Sequence, residues 1–284
     1  MLWRALKDVE NGFYIDVGAN DPIVESVTKA FYERGWRGIN IEPLSSHCHD
    51  LMRDRPDDIN LQCAAGEFRS EIELWEADVR GWATASQHVI EKHQGDGHQG
   101  IFHKVPVLTL AEICTTYASS RDIHFLKIDV EGFEKSVIAG MDFSSFRPWI
   151  IVIEATEPNS TAENYQEWET DILSSRYLFS YADGLNRFYV AQERSDLLQS
   201  LKYPPNVFDD FIRSAHLNSE LRAQQAEAKV QQAEENVQQA EIMAQNAQVA
   251  LMAVHDSASW KLTAPFRKAV NVIRNLCRSS GRNE

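Results

Sequence analysis

The sequence contains no CxxC pair, no GxGxxG turn and no long uninterrupted apolar run. Each gap removes a class of protein. Cys48, Cys63, Cys114 and Cys277 are far apart, so they suit neither a zinc cluster nor a disulfide framework, and reduced cytosolic thiols are the simplest reading. Without a glycine-rich turn there is no dinucleotide fingerprint, which argues against a nicotinamide-dependent oxidoreductase. No stretch approaches the roughly 18 apolar residues of a membrane span. No charged-then-apolar leader opens the chain, so no signal peptide is expected. Surplus basic charge is missing too. The net charge of −14 argues against nucleic acid as a partner, because a phosphate backbone wants a basic surface.

What is present is unevenly distributed over the 284 residues. The expected parts are a first domain over 1–203, a linker and helix start over 204–222, a coiled coil over 223–258 and a basic amphipathic tail over 259–284. The tail carries six basic residues against Glu284, so the acidic excess lies elsewhere. In the first part, apolar runs at 13–17, 38–41, 59–63, 124–128 and 149–153 read as strands. Helical periods lie between them, including one over 24–34 that ends at Gly35. Strand and helix in alternation predict an α/β fold with a parallel sheet. Residues 178–181 and 188–191, around Asp183-Gly184, predict a closing antiparallel hairpin and hence a mixed sheet.

The stretch FYIDVGANDP places Asp16, Gly18, Asn20 and Asp21 at the carboxyl end of the first strand, where open sheets bind ligands. Gly18 lets backbone pass close to a ligand. So many acceptors and only one glycine suit a cationic amino-acid group, not a phosphate. Glu42, ending the second strand, can take both hydroxyls of a ribose. Alone, Asp16 or Glu42 reads as a turn former or a solvated strand end. Together they describe a site for S-adenosylmethionine.

YIDVGANDPIVESVTKAFYERGWRGINIEP, FLKIDVEGFEKSVIAGMDFSSFRPWIIVIEA and YADGLNRFYVA, in that order over about 12–192, resemble the FkbM methyltransferase family. The resemblance implies a class I, Rossmann-like, S-adenosylmethionine-dependent O-methyltransferase. It assigns Asp16, Gly18 and Asn20 to the methionine part of the cofactor and Glu42 to the ribose. It sets the segment Ala64-Ala65-Gly66-Glu67, and with it Ala65 and Gly66, near the adenine.

Lys127, Asp129 and Glu131 stand at the carboxyl end of the fourth strand, and Glu154 ends the fifth. Lys127, Asp129 and Glu131 are the catalytic candidates. Converging carboxylates have two uses. Mutual repulsion can raise one pKa and create a general base. Alternatively Asp129, Glu131 and Glu154 can hold Mg2+, Ca2+ or another divalent cation that orients a sugar diol. The plain alternative for Glu131-Gly132 is a helix-start acid beside a turn.

Residues 81–100 read as a long polar loop covering the cofactor or acceptor. His88, His93 and His98 there lack the spacing of a metal site and read as solvated, while His103 has room to face the cleft. Beyond Pro204-Pro205, apolar residues from Ala223 to Ala258 recur at spacings of three and four, and VQQAE occurs twice, seven residues apart. That predicts a homo-oligomer through a coiled coil, with a lone alanine-rich helix as the alternative. In the tail, Trp260, Leu262, Phe266, Val270 and Ile273 oppose Arg267, Lys268 and Arg274, which fits an anionic membrane surface. An oligomer-capping helix is the alternative there. SASWKLTAP also resembles tails of bacterial surface-glycan enzymes. The expected function is O-methylation of a sugar hydroxyl of a cell-surface polysaccharide or related glycan. The expected place is the cytoplasm, peripheral to the inner face of the membrane. The alternative is an inactive scaffold of the same fold that recruits glycan-assembly enzymes through its coiled coil.

Overall fold

A computed structural model of the chain describes residues 1–158, 160–209 and 214–280. The chain divides into two compact units, Met1–Asp210 and Phe211–Glu284.

The strands of the first unit are β1 Phe13–Val17, β2 Arg37–Ile41, β3 Ile59–Leu61, β4 Ala64–Ala65, β5 Ser70–Ala77, β6 Ala83–Thr84, β7 Gly100–Leu108, β8 Phe125–Ile128, β9 Ile150–Glu154, β10 Tyr177–Ala182 and β11 Asn186–Ala191. Its first six helices are α1 Leu2–Leu6, α2 Lys29–Tyr32, α3 Ser45–Asp54, α4 Gln87–Gly95, α5 Leu110–Tyr117 and α6 Glu134–Ala139. Seven strands form the main sheet in the order β10-β11-β9-β8-β1-β2-β3. β3, β2, β1, β8 and β9 run parallel, and β11 runs antiparallel between β9 and β10. This is the class I, Rossmann-like arrangement expected from the sequence, including its closing hairpin.

β1 and β9 are buried along their whole length, because a parallel sheet is covered on both faces. Side-chain alternation sends Ile15, Val17, Ile39 and Ile41 to one core, where α5 and α6 add Leu110, Ile113, Val137 and Ile138. Tyr14, Phe125, Ile150 and Val152 face the other core with Trp36 and with Leu2 and Leu6 of α1. α5 begins at a capping box between Thr109 and Glu112, which fixes where β7 ends and the helix starts.

Two expected elements differ. The helix over 24–34 shrinks to Lys29–Tyr32. Asp21 accepts the amides of Ile23 and Val24, and Glu25 takes a left-handed φ of 58°. Local side-chain bonds thus compete with the helix and hold 21–28 as a loop. The polar loop over 81–100 is instead β6, α4 and the start of β7, and it belongs to a second sheet in the order β4-β7-β5-β6. His93 is not solvated as expected. It is 3% exposed and stacks on Trp75 and Trp82, and burial pushes its pKa down. His88 is exposed, and His98 bonds to Asp78.

The first unit extends past the expected boundary at 203. Arg4 donates to the carbonyls of Ser200, Tyr203 and Pro204 and pairs with Asp209. Residues 204–209 are therefore tied to the first helix of that unit.

In the second unit one helix runs Ser214–Asp256. Ser257 stops it and caps Ala258–Leu262 by accepting the Trp260 amide, and a last helix covers Ala264–Ser280. Pro265 lies in that helix's first turn, where its missing N–H costs nothing. Trp260 is half-buried, with the Arg267 guanidinium 3.6 Å over its ring and His255 stacked against it. The side chains of Cys277 and Arg278 lie outside the described ones. No described helix is long and apolar enough to cross a membrane.

Candidate active site

A cavity of about 270 Å3 opens where β1, β2, β8 and β9 end. Its lining takes in Asp16, Gly18, Asn20, Glu42, Ala65, Lys127, Asp129, Glu131 and Glu154. These residues are far apart in sequence. The parallel sheet brings them together, because neighbouring strands in register deliver their carboxyl ends to one edge. Gly66 is not among the lining residues. Its amide donates to the Leu108 carbonyl, and a Cβ added at Gly66 would lie 2.9 Å from Val107 Cγ1 and 3.3 Å from Ser136 Oγ. Close packing between segments accounts for that glycine.

Gly18 has a φ of 76°, and a Cβ there would sit 1.8 Å from the carbonyl oxygen of Asp129. The loop after β1 therefore passes directly under the loop after β8. Lys127 fastens the same pair of loops. Its Nζ donates to the Gly18 carbonyl at 2.9 Å and stands 3.2 Å from Asp16 Oδ1 and 3.3 Å from Asp129 Oδ2. Burial opposes its charge, but Asp16 and Asp129 outweigh burial and raise its pKa. Lys127 therefore stays an ammonium and acts as a clamp, not as a proton acceptor.

Asp16 Oδ2 accepts from Thr28, while Oδ1 has the ammonium nearby but no donor on a hydrogen-bond axis. Asn20 Oδ1 is likewise buried without a donor. Asp16 Oδ1, Asn20 Oδ1 and Glu154 Oε2 are thus buried at the cavity without a hydrogen-bond partner. Glu42 accepts the amides of Asn20 and Leu44, one on each oxygen, both at 2.9 Å. Each oxygen keeps a lone pair, and the carboxylate is held rigid.

The carboxyls beyond Lys127 differ from ordinary acids. Glu131 has a φ of 53° and Gly132 one of 94°, a sharp turn that sets the Glu131 side chain at the cavity. Burial, then the charges of Asp129 and Glu134, push Glu131 up to about 7. Burial, then Asp129, Glu131 and Glu134, push Glu154 up to about 10, so it is protonated at neutral pH with Asp129 as its hydrogen-bond acceptor. Among the described residues, no group of three or more His, Cys, Asp or Glu is arranged to hold a metal ion. The acids named as metal candidates, Asp129, Glu131 and Glu154, do line one cavity, but Lys127 already answers Asp129. That set thus does not form the expected divalent-cation cage.

Residues 16–183 match the family described as the methyltransferase FkbM domain. The chain belongs to the FkbM methyltransferase family. A crystal structure of methyltransferase FkbM from Methylobacillus flagellatus KT is 17% identical, with a TM-score of 0.37 and a match over 66% of this chain and 47% of that one. The chain thus spans about half the length of that protein. A comparison with curated protein sequences gave no match.

The FkbM domain also holds functional neighbours that sequence reasoning passed over. Arg55 is 2% exposed. It donates to the Pro22 carbonyl at 2.6 Å, to Ser26 at 2.8 Å and to Thr28 and Tyr14 at 3.3 Å. Asp58, 3.7 Å away, balances its charge and accepts from Tyr14, Gly38 and Asn40. Through Thr28 this network orients Asp16, and through Pro22 and Ser26 it shapes the cavity's loop. In sequence, Arg55 looks like any basic residue at a helix end beside acids, and nothing marks it as buried. Arg80 lines the cavity from the second sheet's side and pairs with Asp21 and Asp50, beside Trp82 of the 81–100 segment expected to cover the cofactor or acceptor. His103, expected near the cleft, points elsewhere: it bonds to Glu76 at 2.7 Å and is not a lining residue.

Proposed function

We propose that this chain transfers a methyl group from S-adenosylmethionine to a hydroxyl oxygen, and that the acceptor is a sugar of a cell-surface polysaccharide or related glycan. The observation that carries the reading is Glu131. It is a carboxylate tuned to about 7, on the same cavity as the unanswered acceptors of Asp16 and Asn20. The residues present fit the cofactor. Asp16 and Asn20 offer acceptors to its amino group, the rigid Glu42 offers lone pairs to its ribose, and Leu44, Ala64 and Ala65 offer an apolar wall. When bound, S-adenosylmethionine supplies a methyl group already activated on a sulfonium. The protein then has to position an acceptor oxygen and take its proton. Glu131 does the second, and at pH above 7 it is ionised for that task. Asp129, with protonated Glu154 donating to it and Lys127 beside it, orients the hydroxylated acceptor. The polar, carboxylate-lined end of the cavity suits a sugar better than an apolar acceptor.

Calorimetric titration tests the cofactor reading. S-adenosylhomocysteine should bind the parent chain, and Asp16→Ala and Glu42→Ala should each weaken it by ten- to a hundred-fold. A hydrogen bond to a charged group is worth roughly 1.5–3 kcal/mol. Tight binding of NAD with none of S-adenosylhomocysteine would overturn the assignment.

The second unit's tail supports a place on the cytoplasmic face of the membrane. Leu262, Phe266, Val270 and Ile273 are exposed, and Lys261, Arg267, Lys268 and Arg274 lie among them. The full chain should sediment with vesicles containing phosphatidylglycerol. Binding should fall steeply with salt, since each basic residue near such a surface contributes about 1 kcal/mol. Equal binding by Arg267→Glu/Lys268→Glu would remove the membrane from the proposal and leave the tail to a partner protein, such as a glycan-assembly enzyme.

A further inference from the structure

We infer that the Ser214–Asp256 helix pairs with the same helix of a second copy of this chain, as a two-stranded coiled coil that is parallel and in register. The inference does not depend on the methyl-transfer reading.

The helix has 43 residues, and its heptad seam is uncovered: Val230 is 58% exposed, Val237 59%, Leu251 56% and Val254 49%. An apolar seam alone would not name its occupant. The charges beside the seam do. Arg222 and Lys229 lie on one side of it, each directly before a seam residue, Ala223 and Val230. Glu227, Glu234 and Glu241 lie on the other side, each directly after a seam residue, Ala226, Ala233 and Ala240. In a parallel pair, a residue on the first side faces the residue five positions later on the second copy. Arg222 then meets Glu227 of the second copy, and Lys229 meets Glu234 of the second copy. Both pairs occur twice, once on each side of the two-fold axis. In an antiparallel pair, each side meets itself. With the helices fully overlapped, Glu227 would face Glu241 and Glu234 its own copy, while Arg222 and Lys229, both near one end, would lose their glutamate partners. The helix is thus complementary to a parallel copy of itself and repels an antiparallel one.

The register follows from size. VQQAE at 230 and at 237 would permit a slip of one heptad with some charge pairs kept. The slip would set Val237 against Ala244 and Leu251 against Ala244 or Ala258, leaving gaps beside the larger side chains. In register, Val230, Val237, Leu251 and Val254 each meet their own kind, and the alanines meet alanines. Knobs then fill holes of matching size, and the overlap is complete.

A thiol placed in the seam reads orientation and register together. The parent for the test is the full chain with Cys277→Ser. Cys48, Cys63 and Cys114 are buried and do not compete. Val237→Cys in that parent should form a disulfide dimer under mild oxidation, because a parallel in-register pair brings each seam residue against itself. Glu235→Cys, on the outer face, should not. Light scattering on the parent should give twice the 32.4 kDa chain mass. Glu227→Lys/Glu234→Lys should raise the dissociation constant of the dimer roughly tenfold with helicity unchanged, and adding Arg222→Glu/Lys229→Glu should restore it. A monomeric mass, a mass above two chains, or a dimer in which Val237→Cys links no better than Glu235→Cys would overturn the inference.

Discussion

Glu131→Gln should lower methyl transfer by about 10²–10⁴-fold, the usual contribution of a positioned base, while S-adenosylhomocysteine binds nearly as before. The parent's rate should rise with pH through about 7, as burial and the charges of Asp129 and Glu134 delay ionisation of Glu131 to that point. Glu154→Gln makes the informative contrast. Glu154 titrates near 10, so at neutral pH an amide imitates the form already present, still able to donate to Asp129. Turnover should therefore survive. Stability moves in a stated direction. Both glutamates hold their protons more tightly in the folded chain than in the unfolded one, where they titrate near 4.5. Their contribution is full below that value and is lost as pH rises, through about 7 for Glu131 and about 10 for Glu154. Glu154→Gln should accordingly raise the melting temperature at alkaline pH and change it little near pH 5. A rate profile and calorimetry on the three proteins check all of this. If Glu154→Gln is as dead as Glu131→Gln, an ionised carboxylate is required at 154 and the assignment of the base to 131 fails.

Gly18→Ala should damage folding and function together. A Cβ would lie 1.8 Å from the Asp129 carbonyl, which is backbone and cannot rotate away, and the φ of 76° suits no alanine. The left-handed backbone costs about 1–2 kcal/mol and overpacking about 1–3 kcal/mol. For a unit of this size that is a fall of roughly 5–20 °C in melting temperature. Relief requires the loop after β8 to move, and that loop carries Asp129 and Glu131. Cofactor affinity and turnover should fall at temperatures where the protein is still folded. A variant that melts with the parent and keeps its rate would show that the two loops do not press on each other.

The strand ends of the main sheet were legible because a strand buried on both faces has to be an apolar run, and DVGAN, INIEP, KIDVEG and VIEA each break from such a run into acids. Asp16, Glu42, Asp129 and Glu154 could therefore be set at one edge of the sheet before the cavity's shape was known, while Gly66, expected there, does not line it. The second sheet was not legible. SEIELWEA is largely exposed over its first half and then buries Leu74 on one face and Trp75 and Ala77 on the other, and its partner GIFHKVPVL carries a glycine and a proline, which interrupt a strand pattern. Burial of His93 depends on Trp75 and Trp82, which reach it only through that sheet. The loop over 21–28 was lost for another reason. Its apolar residues keep a helical spacing, and what unmakes the helix is Asp21 and Arg55, whose bonds to backbone no periodicity reports.

The ammonium of Lys127 is shared between Asp16 and Asp129, so one fixed cation serves two anions and the cavity is short of positive charge. The sulfonium of the proposed cofactor would enter it as a counter-ion. With its methyl gone, the same group would be a neutral thioether and would no longer answer that deficit. On the proposed function, the lining would favour reactant over product through charge. Turnover and release would then be coupled through electroneutrality, with no moving part required.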